Sequence, residues 1–190
     1  MYEVRIHGRG GQGAVLAAQL LATALVFDGK YAVSIPAFGF ERRGAPVVSF
    51  IRASEQPIRQ LTNIYAPDCI VCVDPALART VNIFAGLKRG GTLVQATSRP
   101  LAEIDVPDSV GTVGLCDAVR IATEIFGRPI TTTLMLGAFA RSTGQVSLEA
   151  LKKVIEQSDF RDAGLRQNLD ALERGYAETT VHTLERRITA

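Results

Sequence analysis

The chain has 190 residues, 47% of them hydrophobic and 21% charged, which suits one globular domain with its own core and leaves no room for a second catalytic domain. A formal net charge of +2, no Trp and only 6% aromatic residues give no argument for nucleic acid, and none is expected as a partner, because the scattered Lys and Arg have no aromatic platforms between them. The longest apolar stretch, Ala14 to Phe27, is broken by Gln19 and Thr23 and falls short of the roughly 20 residues of a membrane span. It follows a strand pattern and has no charged leader segment, so neither a membrane span nor a signal peptide is expected and the location is read as cytoplasmic.

In chain order, the pattern predicts a strand over Tyr2 to Ile6, a glycine-rich turn, and a helix over Ala14 to Phe27. Strands follow at Tyr31 to Ile35 and Val47 to Ile51, then a short helix near Ile58 to Thr62 and a buried strand at Cys69 to Val73. Asp74-Pro75 reads as the cap and first turn of a helix through Phe84. Gly90-Gly91 turns the chain into a strand at Thr92 to Gln95. The Pro- and Gly-marked stretch 97–114 reads as an irregular crossing with at most a short strand around Gly111 to Leu115. Asp117 caps a helix to Phe126, and from Thr131 onward the chain reads as helical: Thr133 to Thr143, Leu148 to Gln157 behind Ser147, and a final helix from about Asp162. There Leu165, Leu169, Leu172 and Tyr176 form one apolar stripe, fit for docking onto the domain's own core or for reaching another subunit. The predicted fold class is therefore α/β, Rossmann-like, with a largely parallel sheet, flanking helices and a helical C-terminal part, all of residues 1–190 forming one domain.

The most informative segment is Gly8-Arg9-Gly10-Gly11-Gln12-Gly13, placed between a strand and a long helix. Such a turn brings bare backbone N–H groups to a helix N-terminus, which suits an anion or a closely approaching partner. Gly8, Gly10 and Gly13 satisfy G-x-G-x-x-G, but a dinucleotide site also wants an acidic residue at the tip of the second strand. Asp28 has the spacing and lies where the first helix stops, so dinucleotide binding is not the favoured reading. Cys69-Ile70-Val71-Cys72 is nominally C-x-x-C. On a strand, residues three apart point to opposite faces, so the pair reads as two small buried hydrophobes and not as metal ligands. With Cys116 the count is odd, which argues against a disulfide framework.

His7 and His182 are the only histidines, and no nucleophile elbow, paired Cys and His, or cluster of metal ligands is present. A prominent glycine loop without acid, base, nucleophile or metal points to a subunit whose chemistry lies on another chain. Phe38-Gly39-Phe40-Glu41-Arg42-Arg43-Gly44-Ala45-Pro46 is the second notable segment. Its two guanidinium forks suit carboxylates or phosphates, or Glu41 pairs with one of them in an ordinary surface loop. Both loops fall at strand ends of one sheet.

Together Ile6 to Gly13, Phe38 to Val47, Leu136-Gly137-Ala138-Phe139, Asn168 and Gly175-Tyr176 resemble the gamma subunit of the 2-oxoacid:ferredoxin oxidoreductases, over nearly the whole chain. The Glu41-Arg42-Arg43-Gly44-Ala45-Pro46 form looks like the branch that uses pyruvate, branched-chain or aryl 2-oxoacids such as phenylglyoxylate. The resemblance implies a multisubunit enzyme that oxidatively decarboxylates a 2-oxoacid, forms an acyl-CoA and passes electrons to ferredoxin or another acceptor. It further implies alpha, beta and ferredoxin-like delta partners that carry thiamine diphosphate, Mg2+ and 4Fe–4S clusters, with no cofactor held by this chain alone. Gly8, Arg9, Gly10, Gly11, Gln12, Gly13, Arg42 and Arg43 are then the candidate residues, either for the phosphates of coenzyme A or for a subunit interface. The alternative is a free-standing Rossmann-like nucleotide-binding module or small reductase.

Overall fold

The computed structural model describes residues 1–36, 44–74, 76–160 and 162–184, with the side chains of 162 and 163 left aside. A seven-stranded sheet runs in the order β2-β3-β1-β4-β5-β6-β7, built from β1 (Tyr2–Arg9), β2 (Tyr31–Pro36), β3 (Pro46–Ser54), β4 (Cys69–Cys72), β5 (Gly91–Ala96), β6 (Val110–Cys116) and β7 (Thr180–Thr183). The central strands β1, β4, β5 and β6 are parallel. The flanks β2-β3 and β7 are joined to them antiparallel. This is the expected α/β sheet; β4 reads as a continuous apolar run because both of its faces are covered, whereas β1 alternates, with Val4 and Ile6 in the main core and Glu3, Arg5 and His7 on the other face.

The two faces are covered differently. One carries all five helices, α1 (Ala14–Phe27), α2 (Ala118–Phe126), α3 (Thr132–Thr143), α4 (Leu148–Gln157) and α5 (Asp162–Glu178), over a core that includes Val4, Ile6, Cys69, Val71, Val94 and Phe139. Among the described residues the other carries connecting segments, and its smaller core holds Ile70, Cys72, Leu77, Ile83, Leu87, Leu93 and Val113. Cys69 and Cys72 thus fall in different cores on opposite faces of β4, as strand alternation requires. All three cysteines are buried and free. Burial pushes the Cys72 thiol up to about 12 and the Cys116 thiol up to about 11.

Several expected elements differ. Among the described residues of the stretch from Asp74 to Phe84 there is no α-helix; a 3-10 turn, Leu77–Arg79, stands there. Leu77, Ile83 and Leu87 all enter the second core, at spacings no single helix face supplies, and Thr80-Val81-Asn82 favours helix weakly. The expected helix near Ile58 to Thr62 is likewise absent. Arg52, buried on β3, donates to the carbonyls of Gln60 and Thr62 at 3.2 and 2.6 Å and to the Glu3 carboxylate at 2.9 Å. A helix would keep those carbonyls for its own N–H groups. Arg5 organises the next segment in the same way, with bonds of 2.8 and 2.6 Å to the carbonyls of Ile83 and Ala85. The short strand expected around Gly111 to Leu115 is present and extends one residue further at each end, as β6. After the helical part the chain returns to the sheet as β7, which pairs with β6.

The helical expectations hold for α1 to α5 to within a residue at the predicted ends. Ser147 caps α4 by accepting from the Ala150 N–H at 3.1 Å. The α5 stripe docks inward: Leu172 is fully buried, and Leu165, Leu169 and Tyr176 pack against the main core. Among the described residues no helix is long and apolar enough to cross a membrane.

Candidate functional site at the ends of the parallel strands

A sheet with helices on one face and loops on the other has a crevice wherever successive strands send their connections to opposite faces, and ligands favour such points at the carboxyl ends of the strands. Here β1 feeds α1 on the helical face and β4 feeds the 3-10 turn on the loop face. The glycine segment sits at that first switch point.

β1 runs further than its apolar pattern suggests. Gly8 pairs with Val47 and Arg9 with Pro46, and the Gly10 N–H then donates to the Ala45 carbonyl at 2.9 Å while Gly44 N–H returns a bond to Gly10 at 3.1 Å. The glycine segment and the end of the second segment, Gly44-Ala45, are therefore one hydrogen-bonded unit. Arg42 and Arg43 lie outside the described residues. A Cβ on Gly8 would meet Val73 Cγ2 at 2.8 Å and Ala14 Cβ at 3.1 Å, so this glycine lets α1 and β4 close on the strand.

The turn proper is Gly11-Gln12-Gly13, with Gly11 at φ 89° and Gly13 at φ 77° as the N-cap of α1. Gly13 is doubly constrained, since a Cβ there would also strike the Thr132 hydroxyl at the start of α3. No side chain caps the helix, so its first N–H groups are left to solvent or to a ligand. Gly11 and Gln12 are exposed.

Asp74, at the end of the neighbouring strand β4, holds this turn. Its Oδ2 accepts from Arg9 Nε at 2.7 Å and from Gln12 Nε2 at 3.0 Å, and its Oδ1 accepts from the Ala76 N–H at 2.7 Å. Gln12 closes the ring by accepting from the Arg9 N–H at 2.8 Å. Burial pushes the Asp74 carboxyl up, but the Ala76 amide, Gln12 and the Arg9 guanidinium outweigh it and hold it below the usual carboxylate range. Arg9 also reaches the Gly44 carbonyl at 3.2 Å, so its guanidinium ties three chain segments together with a 28% exposed side chain. From the sequence Asp74 reads only as a helix cap. The available signal was an acidic residue directly after an apolar strand, which topology places beside the glycine turn. Asp74→Ala should destabilise the fold by about 1–3 kcal/mol, the scale of losing charged hydrogen bonds around a mostly buried partner. Gln12→Ala should add little on top of it in a denaturation double-mutant cycle, because both act through one ring.

His7 lies just below the turn, 4% exposed. Its Nε2 accepts from Arg5 Nε at 3.0 Å, and burial with the neighbouring Arg5 charge lowers its pKa to about 4. It is a neutral core histidine. Asp28, whose spacing invited comparison with a ribose-binding acid, instead accepts from the Ser147 N–H and hydroxyl at 2.6 Å each. It ties the end of α1 to the start of α4. Among the described residues no group of three or more His, Cys, Asp or Glu is placed to hold a metal ion.

A second crevice lies between β5, which feeds the loop face, and β6, which feeds α2 on the helical face. It is a cavity of about 870 Å3 lined by residues that include Phe84, Gln95, Thr97, Arg99, Ile104 and Arg120. None of these was singled out from the sequence.

Comparison with known proteins places this geometry among relatives. The family model described as pyruvate ferredoxin/flavodoxin oxidoreductase matches residues 3–178. The chain is 71% identical, over all of both chains, to the NADH-dependent phenylglyoxylate dehydrogenase subunit gamma of Aromatoleum evansii. It is 46% identical to the pyruvate/ketoisovalerate oxidoreductases common subunit gamma of Thermococcus kodakarensis, over 97% of this chain and 100% of that one. Among solved structures, the pyruvate oxidoreductase subunit PORC of Thermotoga maritima superposes with a TM-score of 0.82 at 37% identity, covering 95% of this chain and 97% of that one.

Proposed function

Because the chain belongs to the pyruvate ferredoxin/flavodoxin oxidoreductase family as a gamma-type subunit, we propose that it serves a coenzyme A-dependent complex that oxidises an aryl 2-oxoacid of the phenylglyoxylate kind. The carrying observation is the 71% identity over the full length of both chains. Residues 1–190 act in this reading as one gamma domain in the cytoplasm, assembled with alpha, beta and delta subunits and passing electrons through them to ferredoxin or another acceptor.

The residues of this chain do not fit an iron–sulfur cluster. Cys69 and Cys72 open into different cores, and burial keeps the Cys72 and Cys116 thiols protonated at neutral pH, whereas cluster ligation needs several convergent thiolates. Clusters, thiamine diphosphate and Mg2+ are accordingly assigned to the partner subunits. What this chain offers is the braced turn Gly8 to Gly13: exposed backbone at Gly11 and Gln12, an uncapped helix N-terminus behind it and the Arg9 guanidinium beside it. This suits either a phosphate of coenzyme A or the backbone of an adjoining subunit.

The test is reconstitution. Partner subunits assembled without this chain should not form the aroyl-CoA from phenylglyoxylate, and adding it should restore turnover; full activity without it sinks the proposal. In the assembled complex, Arg42→Ala and Arg43→Ala should raise the apparent KM for coenzyme A several-fold and leave coenzyme A-independent decarboxylation nearly unchanged, with Lys rescuing only in part because it lacks the two-pronged geometry. Normal assembly with unaltered coenzyme A dependence removes these arginines from that role, and a complex that falls apart assigns them to the interface.

A further inference from the structure

α1 differs from the other helices that face solvent. α2, α4 and α5 turn charged side chains outward, among them Arg120, Lys153 and Arg166, whereas the fourteen residues of α1 include no Asp, Glu, Lys or Arg. Eight of them are buried; Leu16, Gln19, Thr23, Val26 and Phe27 are exposed and Val15 is half-buried. At about 100° per residue these six fall in one strip along the helix. A helix that is apolar all round is normally buried on every side, and an exposed apolar strip of this kind marks an interaction surface.

The strip is complementary to itself. Its positions are spaced symmetrically about Leu21, Val15 with Phe27, Leu16 with Val26 and Gln19 with Thr23, and these are the pairs that meet when two copies of a helix pack antiparallel about a two-fold axis. Apolar residues then meet at both ends and the two polar ones meet in the middle. The Thr23 hydroxyl donates to the Gln19 carbonyl of its own helix at 3.0 Å, so its oxygen is left to accept from the Gln19 amide of the other copy. The flanks match as well. Lys153 stands 4.5 Å from the centre of the Phe27 ring at one end, and at the other the exposed Asp159 lines a hollow of about 360 Å3 with Leu16, Ser158 and Phe160. Asp28 and Lys30, just beyond Phe27, carry opposite charges that offset each other. Antiparallel packing therefore brings Lys153 of each copy towards Asp159 of the other, and the Val26–Phe27 end towards the hollow beside Leu16.

We infer that the α1 strip is a contact between two copies of this chain, packed antiparallel across a two-fold axis at the level of Leu21. A helix of fourteen residues is about 21 Å long, so the area covered is at the low end for specific association and the pair is weak by itself. The contact sets two gamma-type subunits side by side. It depends neither on which 2-oxoacid the complex oxidises nor on the role of the glycine turn.

Sedimentation equilibrium of the full chain tests it. The parent should dimerise reversibly at concentrations up to about 100 μM, where a contact of this size still associates. Leu16→Glu should weaken the dimer at least about tenfold, as a charge set into an apolar contact does, and leave the thermal midpoint of the dilute monomer unchanged, since Leu16 belongs to neither core. Lys153→Glu and Asp159→Lys should each weaken self-association about three- to tenfold by setting like charges opposite one another. Mixed in equal amounts, those two variants should pair with the parent's affinity, because opposite charges then meet at both ends. Mixing repairs neither a folding defect nor the lost contact between Lys153 and Phe27. The proposal is overturned if the parent stays monomeric over that range, as it does if a different subunit covers the strip, if Leu16→Glu dimerises as the parent does, or if the mixed variants associate no better than each alone.

Discussion

Gly175→Ala is expected to destabilise the protein by about 2–3 kcal/mol, at the upper end of what one added methyl does to a packed core. α3 and α5 cross with backbone against backbone. A Cβ on Gly175 would strike the Leu134 carbonyl, with the carbonyl carbon at 2.8 Å, and a Cβ on Gly137 would strike the Leu172 carbonyl and meet the Tyr176 amide nitrogen at 2.7 Å. Neither obstacle is a side chain that swings away, so the two helices must separate, and with them the buried bond from the Thr133 hydroxyl to Asn168 Oδ1 at 3.0 Å. The midpoint of thermal unfolding should fall by roughly 5–12 °C in a chain of this size. Gly164, on the same helix, faces open space, and Gly164→Ala should leave stability unchanged or raise it by up to about 1 kcal/mol through helix propensity. Two glycine-to-alanine changes on one helix thus carry opposite signs. Equal, small effects at Gly175 and Gly164 would refute the close crossing.

Acid should weaken the fold in a window set by His7. Burial, and after it the Arg5 charge, lowers its pKa to about 4, against about 6.5 in an unfolded chain. Between those values the unfolded state binds the proton and the folded state does not, so stability is full above about pH 6.5 and falls as pH drops towards 4. The slope from this one group approaches about 1.4 kcal/mol per pH unit, and the whole window is worth about 3 kcal/mol. His7→Gln keeps an acceptor for Arg5 and cannot titrate, so denaturation curves at pH 7 and pH 4.5 should differ less for the variant than for the parent. An unchanged difference would remove His7 from the acid response. Asp74 acts in the same direction at lower pH, since its folded pKa is also depressed and its ring opens only on protonation below the ordinary carboxylate range.

Both effects concern residues that the sequence marks only in part. Gly137 and Gly175 stand out as pieces of a family pattern, and His7 as a lone histidine beside a glycine loop. Neither the crossing nor the burial is local information: the partners of Gly137 are 35 to 39 residues away in the chain, and Arg5 adjoins His7 only because β1 is extended with both side chains on the loop face.

The sequence by itself determined the elements whose signals are short-range. Periodic apolar runs with caps placed α2 behind Asp117 and α4 behind Ser147, the glycine turn stands between β1 and α1, and strand alternation separated Cys69 from Cys72. Only the tertiary structure decided what the turn is made of. Asp74, Gln12, Arg9 and Gly44 meet because β4 and β3 flank β1, and the Ala45 carbonyl takes the Gly10 N–H across that same edge. The loop face was decided the same way: Arg5 and Arg52 capture carbonyls of segments 83–85 and 60–63, which overrides weak local helix preferences because a buried guanidinium requires acceptors wherever the fold supplies them.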